Sequence, residues 1–349
     1  MASIRERVYG ALAGEPEREP VFAVYDWFVK NRRIGWDGLF ARGLGQIAHA
    51  SLLTAEYPNA AITENVRTEN GETRRDVHWV TDAGELHEWF RGEWRQEYLV
   101  KSAGDYRILS RALEGTRFTA TDEAFNSAEA QLGGGGVTMG QLGDGIMEVR
   151  TPLQAVQIDC AGLERFSYDL ASEEPALMEL LELMEERTVE KLRLVLGSRA
   201  MMIKFWENLS IETMGPRIYR RYLVPLYRKL CRLLEGTGKG LHVHYDGKLG
   251  PVAADIAGLG FSGIDSLTGP PEGDLSSAEA RALWPQVFLW LHPNLGWYAL
   301  PEKELRAAVR RMAEGAGRRY CLMISEEVPA SWERAVPVVL DELNRGTRE

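Results

Sequence analysis

Cysteine is scarce. Cys160, Cys231 and Cys321 are the only three in 349 residues, and no two form a Cys-x-x-Cys pair. That excludes a disulfide framework and a four-cysteine zinc knuckle. No run of 18 apolar residues occurs, so no membrane span is expected. Positive charge is also short, with 41 Lys+Arg against 51 Asp+Glu and a formal net charge of −10. Without a basic run to offset it, nucleic acid is not an expected partner. The N-terminal Met1-Ala-Ser-Ile-Arg-Glu-Arg has no apolar core of a secretion signal, which points to a cytoplasmic protein. There is no G-x-S-x-G elbow. The run Gly133–Gly136 fits neither phosphate-binding glycine motif and reads more simply as a turn or loop. The remainder is ordinary globular composition, 45% hydrophobic and 26% charged.

Periodicity supplies the organisation. Ile4, Val8, Ala11 and Leu12 recur at helix spacing before Gly14, and 20–26 reads as a buried strand ending in Asp26. Segment 61–80 predicts a hairpin turning at Asn70-Gly71. From about 150 the pattern becomes regular. Helices are expected at 173–196, 216–236, 248–258, 276–283, 301–315 and 331–344, with strands at 200–205, 239–244, 261–265, 286–292 and 319–325. Such alternation predicts an α/β fold with a parallel sheet. With no linker to split the series, one (β/α)8 TIM barrel over 1–349 is the economical reading. Region 27–150 would carry barrel strands plus insertions or a lid, an irregular N-terminal elaboration.

Catalytic groups of such barrels lie at the C-terminal strand ends. The predicted ends here are Asp26, Glu207 with Asn208, His242 with His244, Asp265, His292 with Asn294, and Glu326 with Glu327. In Leu241-His242-Val-His244-Tyr-Asp246-Gly247 the two imidazoles stand at i and i+2, on one side of a strand, and can share a divalent ion. A hydrogen-bonded pair without metal is the plainer reading of an isolated His-x-His. Asp265 and Glu326 at other strand ends favour the metal. His49, His78 and His87 read as packing or surface residues, and Cys321, inside a strand, as a buried inert thiol. Trp27, Trp206 and Trp297 adjoin strand ends and could wall a pocket.

Several stretches together resemble the uroporphyrinogen decarboxylase superfamily, which includes corrinoid-linked methyltransferases. They are Arg7-Val-Tyr-Gly-Ala-Leu-Ala-Gly-Glu-Pro, the segment from Glu207 through Pro225-Leu-Tyr, the His242 motif, Gly260-Phe-Ser-Gly-Ile-Asp265, and Ile324-Ser-Glu-Glu-Val-Pro329. The resemblance implies a TIM barrel. Tyr25-Asp26-Trp27-Phe28 lacks the arginines with which the true decarboxylases hold their substrate, so porphyrinogen decarboxylation is not implied. The methyltransferase branch binds zinc through His-x-Cys. Here His242 matches the histidine and His244 stands in the cysteine's place. An all-N/O ligand set is harder than a thiolate set, a stronger Lewis acid that also accepts other transition metals.

The expectation is a metal-dependent methyltransferase-like enzyme acting on a small methylated substrate or with a corrinoid protein. A divalent metal, zinc first, would be held by His242, His244, Asp265 and Glu326. Glu207, Asp246 and His292 would be catalytic, and Asp26, Trp27, Asn208, Asn294 and Trp297 would bind substrate. By analogy with the superfamily the chain would form a homodimer. The rival readings are a metal-free decarboxylase or lyase using the same groups for proton transfer, and a non-catalytic protein binding a metal or small molecule.

Overall fold

The computed structural model describes residues 2–15, 19–31, 35–143, 149–325 and 329–345. Eight parallel strands close into a barrel. They are β1 (Val21–Tyr25), β2 (Gly45–Ser51), β3 (Gly136–Gln141), β4 (Met202–Phe205), β5 (Gly240–His244), β6 (Gly263–Thr268), β7 (Phe288–His292) and β8 (Tyr320–Met323). Each pairs with its neighbours in sequence, and β8 returns to β1 with Val21 opposite Cys321. The expected α/β (β/α)8 TIM barrel is therefore the fold.

The chain divides into two compact units. One comprises 1–52, 122–141 and 199–349 and contains the whole barrel; the other comprises 53–121 and 142–198. β2 and β3 lie within the 27–150 region, which also carries part of the second unit. Both strands escaped the sequence reading. Gly45, Gly136 and Gly140 dilute their apolar pattern, but each is needed for close approach. A Cβ at Gly136 would sit 1.9 Å from the Gln46 carbonyl oxygen, so the glycine run serves strand packing. Gly136→Ala is expected to push β3 from β2 and lower stability by about 2–3 kcal/mol, read as a lower urea midpoint.

Of the expected helices, those from 216 onward alternate with the later strands in the barrel unit, whereas 173–196 falls in the second unit. The first, Ile4–Ala13, carries a capping box of Ser3 and Glu6 and stops at Gly14 with φ 77°. Trp332–Arg345 closes the barrel unit with a buried face of Trp332, Val336, Val339, Leu340 and Leu343.

The second unit holds a four-stranded antiparallel sheet, Ala61–Glu69, Glu72–Thr81, Gly84–Arg91 and Trp94–Glu97. Its first hairpin turns at Asn70 and Gly71, with φ 51° and 81°, as the Asn-Gly pair predicts. Strand Leu53–Glu56 pairs with Arg117–Ala120, and helices include Ala103–Leu113, Leu163–Ala171 and Pro175–Leu194. Among the described residues no helix is long and apolar enough to cross a membrane.

Candidate active site

A cluster of charged and polar side chains is buried at the C-terminal ends of the barrel strands, built around a residue that the strand-end survey passed over. Lys204, in the middle of β4, is fully buried, and its Nζ lies 2.5 Å from Asp265 Oδ2 on β6. The ammonium also sits 3.4 Å from the ring centre of Trp206 and 4.4 Å from that of Tyr25. Two aromatic faces and a carboxylate thus compensate a cation that burial would otherwise make very costly.

Asp265 is the hub. The Tyr25 hydroxyl, at the end of β1, donates to its carboxylate at 2.8 Å and 2.7 Å from the two oxygens. His244 Nδ1 lies 3.0 Å from Oδ2, and His292 Nε2 lies 3.3 Å from the Tyr25 hydroxyl. The register of β6 against β7 shifts between Ile264 and Leu267, and Ser266 has φ 62°. This bulge turns consecutive residues toward the network, since Ser266 Oγ lies 3.5 Å from His292 Nδ1. Burial alone would raise the Asp265 carboxyl, but Lys204 and the His244 hydrogen bond outweigh it and hold it well below the usual carboxylate range.

A second line of contacts runs outward. Lys204 Nζ is 3.3 Å from His49 Nε2 on β2, and His49 Nδ1 is 3.4 Å from Asp26 Oδ1. Asp26 opens the short helix Asp26–Asn31 and also accepts from Lys30 at 2.8 Å. An ammonium donates only, so His49 accepts at Nε2 and carries its proton at Nδ1, directed at Asp26. Burial, then the Lys204 charge, lowers the His49 pKa to about 4, which keeps the ring neutral. His292 is pushed down to about 3, chiefly by burial.

The residues expected from sequence divide into two sets. Asp26, His244, Asp265 and His292 join the cluster directly. Trp27 lies against Tyr25, with ring centres 6.2 Å apart. Glu207 is fully buried, and its charge adds to burial in raising the phenol pKa values of Tyr219, Tyr227 and Tyr245. Asn208 and Asp246 are exposed. Asn294 ties two loops by donating to the Gly269 carbonyl at 2.7 Å, and Trp297 lies half-buried in the turn Leu295–Ala299. Cys321 is fully buried, which raises its thiol pKa.

Three of the four expected metal ligands are described, each with other partners. His242 Nδ1 accepts from the Trp290 indole at 3.0 Å, and burial lowers its pKa to about 3. Its ring packs so closely on β6 that a Cβ at Gly263 would fall 2.1 Å from Nδ1. His244 spends Nδ1 on Asp265, and Asp265 already faces the Lys204 ammonium. Glu326 lies outside the described residues. Among the described residues no group of three His, Cys, Asp or Glu side chains could hold a metal ion. His244 and Asp265 belong to the lysine-centred network, whereas His242 is held by Trp290.

No protein-family model and no curated protein sequence matches the chain. Among solved structures it is similar to a methyltransferase from Methanosarcina mazei, at TM-score 0.58 and 12% identity, covering 99% of this chain and 100% of that one. A xylose isomerase domain protein from Planctomyces limnophilus aligns at TM-score 0.37 and 10% identity, covering 96% of this chain and 98% of that one, too distant to carry an argument. The first likeness establishes fold alone. Topology and comparison agree that this chain is a TIM barrel similar in fold to a methyltransferase.

Proposed function

We propose that the chain is an enzyme that moves a proton on a small carboxylate- or carbonyl-bearing substrate, as a lyase, decarboxylase or isomerase does. One observation carries this reading: Lys204, Asp265 and His244 form a contiguous buried trio in the barrel, with Nζ 2.5 Å and Nδ1 3.0 Å from the same carboxylate oxygen. Asp265 holds the Nδ1–H of His244 and so presents Nε2 as the proton acceptor, and its charge stabilises the imidazolium that forms. The Lys204 ammonium stabilises negative charge developing on the substrate oxygen as the proton leaves. Tyr25 and His292 keep Asp265 in place, and the half-buried Trp206, 5.0 Å from His244 and 4.8 Å from His49 between ring centres, guards the approach.

Methyl transfer is the second reading, favoured by the fold likeness over 99% of the chain. In that form a metal at His242, His244, Asp265 and Glu326, a corrinoid partner and a homodimer would accompany it. One pair of measurements separates the two. Incubation with pooled small carboxylic acids in D2O is expected to give enzyme-dependent deuterium incorporation, reduced about 10²–10³-fold in His244→Gln. Elemental analysis is expected to find well under one metal per chain. Stoichiometric metal lost in His244→Ala, with no deuterium incorporation, would overturn the proton-transfer reading in favour of methyl transfer.

A further inference from the structure

The side chains of Lys204 and Asp265 are fully buried, and that of His244 is 2% exposed. A proton taken up there leaves most readily through hydrogen-bonded groups, and the contacts running outward from Lys204 supply them. Lys204 Nζ lies 3.3 Å from His49 Nε2, and His49 Nδ1 lies 3.4 Å from Asp26 Oδ1. The Asp26 side chain is 13% exposed and accepts from Lys30, whose side chain is 69% exposed. The line thus starts in the interior and ends at water.

The sequence builds this line from two neighbouring strands. His49 stands two residues after the fully buried Ile47 on β2, so both side chains lie on one side of the strand. Ile47 is opposite Tyr25 of β1, and Asp26 follows Tyr25 as the first residue of the next helix. One ring therefore bridges an inner donor and an outer acceptor. Because the ammonium only donates, His49 Nε2 is the accepting nitrogen and the proton on Nδ1 faces Asp26. From Lys204 outward every donor points toward the surface, as a relay requires.

We infer that His49 and Asp26 form a proton outlet that joins Lys204 to water. Lys204 gives a proton to His49 Nε2 as His49 gives its Nδ1 proton to Asp26, and Asp26 releases that proton to water. The neutral amine is refilled through Asp265 by the Nδ1 proton of a His244 that has gained one at Nε2. Each side chain passes on one proton for each it receives, and no other bond forms or breaks. The reverse passage brings a proton in from water and restores both histidine tautomers. His49 and Asp26 act through Lys204. The use of the outlet in turnover rests on the proton-transfer reading of the trio, whereas its existence is tested without substrate.

In the full chain without substrate, labelled with heavy nitrogen in its lysine and tryptophan side chains, NMR reports how fast the Lys204 ammonium hydrogens exchange with water. Asp26→Asn keeps an oxygen facing His49 but cannot hold the arriving proton. His49→Gln keeps an acceptor for Lys204 but cannot pass a proton through. Each is expected to slow Lys204 exchange about 10²-fold. The buried Trp290 indole N–H, which donates to His242 and reports opening of the barrel, should exchange at its wild-type rate. A purely structural role for His49 and Asp26 would instead loosen the barrel and speed both. Slowing of less than about tenfold in Asp26→Asn, or a parallel change at Trp290, would overturn the outlet. If His49→Gln fails to fold, Asp26→Asn decides. Slowed Lys204 exchange in the variants, with no deuterium incorporation into the pooled acids by the wild type, would remove the reading of the trio and leave the outlet standing.

Discussion

Lys204→Met is expected to abolish turnover and to cost about 3–5 kcal/mol of folding stability, a larger loss than its shape change alone would cause. Methionine nearly matches the lysine stem, so the loss measures the Asp265 carboxylate left in the interior without its ammonium. Removing both charges is the telling comparison. In Lys204→Met/Asp265→Asn no bare charge remains, and much of the stability is expected to return while activity does not. Urea midpoints of the wild type, both single variants and the double variant close this cycle. Equal, additive losses would show that the 2.5 Å pair carries no coupling and would remove the basis for the proton-transfer site.

Acid should unfold the protein early. His49, His242 and His292 have folded-state pKa values of about 4, 3 and 3, all lowered first by burial. An unfolded histidine titrates near 6.5. The unfolded chain therefore binds protons that the folded chain refuses, and stability present above pH 6.5 drains away as pH falls toward the folded values. Each ring contributes about 1.4 kcal/mol per pH unit in that window, so the three together remove about 5–6 kcal/mol between pH 7 and 5. Against an ordinary total of about 5–15 kcal/mol, this brings the acid midpoint to roughly pH 4–5. Asp265, held low by Lys204, adds to the loss below that window. Fluorescence-monitored urea unfolding at pH 7, 6 and 5 tests the slope, and a flat midpoint would contradict the neutral, buried state of these rings.

The barrel was legible because its later strands are short apolar runs between amphipathic helices, and the strand-end survey found Asp26, His244, Asp265 and His292 for the same reason. Lys204 was missed by looking only at strand ends. Its signal was nevertheless in the sequence: a lone cation inside Met-Met-Ile-Lys-Phe, a place where charge is seldom tolerated without a partner. His49 was hidden with its strand, since Gly-Gln-Ile-Ala-His-Ala-Ser has little β-branched content to announce β2. The surroundings of Glu207 could not be read locally, because Tyr219, Tyr227 and Tyr245 come from other turns of the chain. Both imidazoles of His-x-His are buried, but spacing cannot say what each ring meets. Trp290, 48 positions from His242, decides one, and Asp265 decides the other.

The seam of the barrel has a consequence for synthesis. Val21 of β1 pairs with Cys321 of β8, so the first barrel strand lacks a neighbour on one side until β8 has been made. At ordinary ribosomal speeds the intervening chain takes about 15–60 s to emerge. Throughout that interval Val21-Phe-Ala-Val-Tyr25, all five residues destined for the interior, presents an unpaired apolar edge to water or to a chaperone. The ion pair between Lys204 and Asp265 likewise waits for β6, and the hydroxyl that donates to it, Tyr25, stands at the end of that waiting strand.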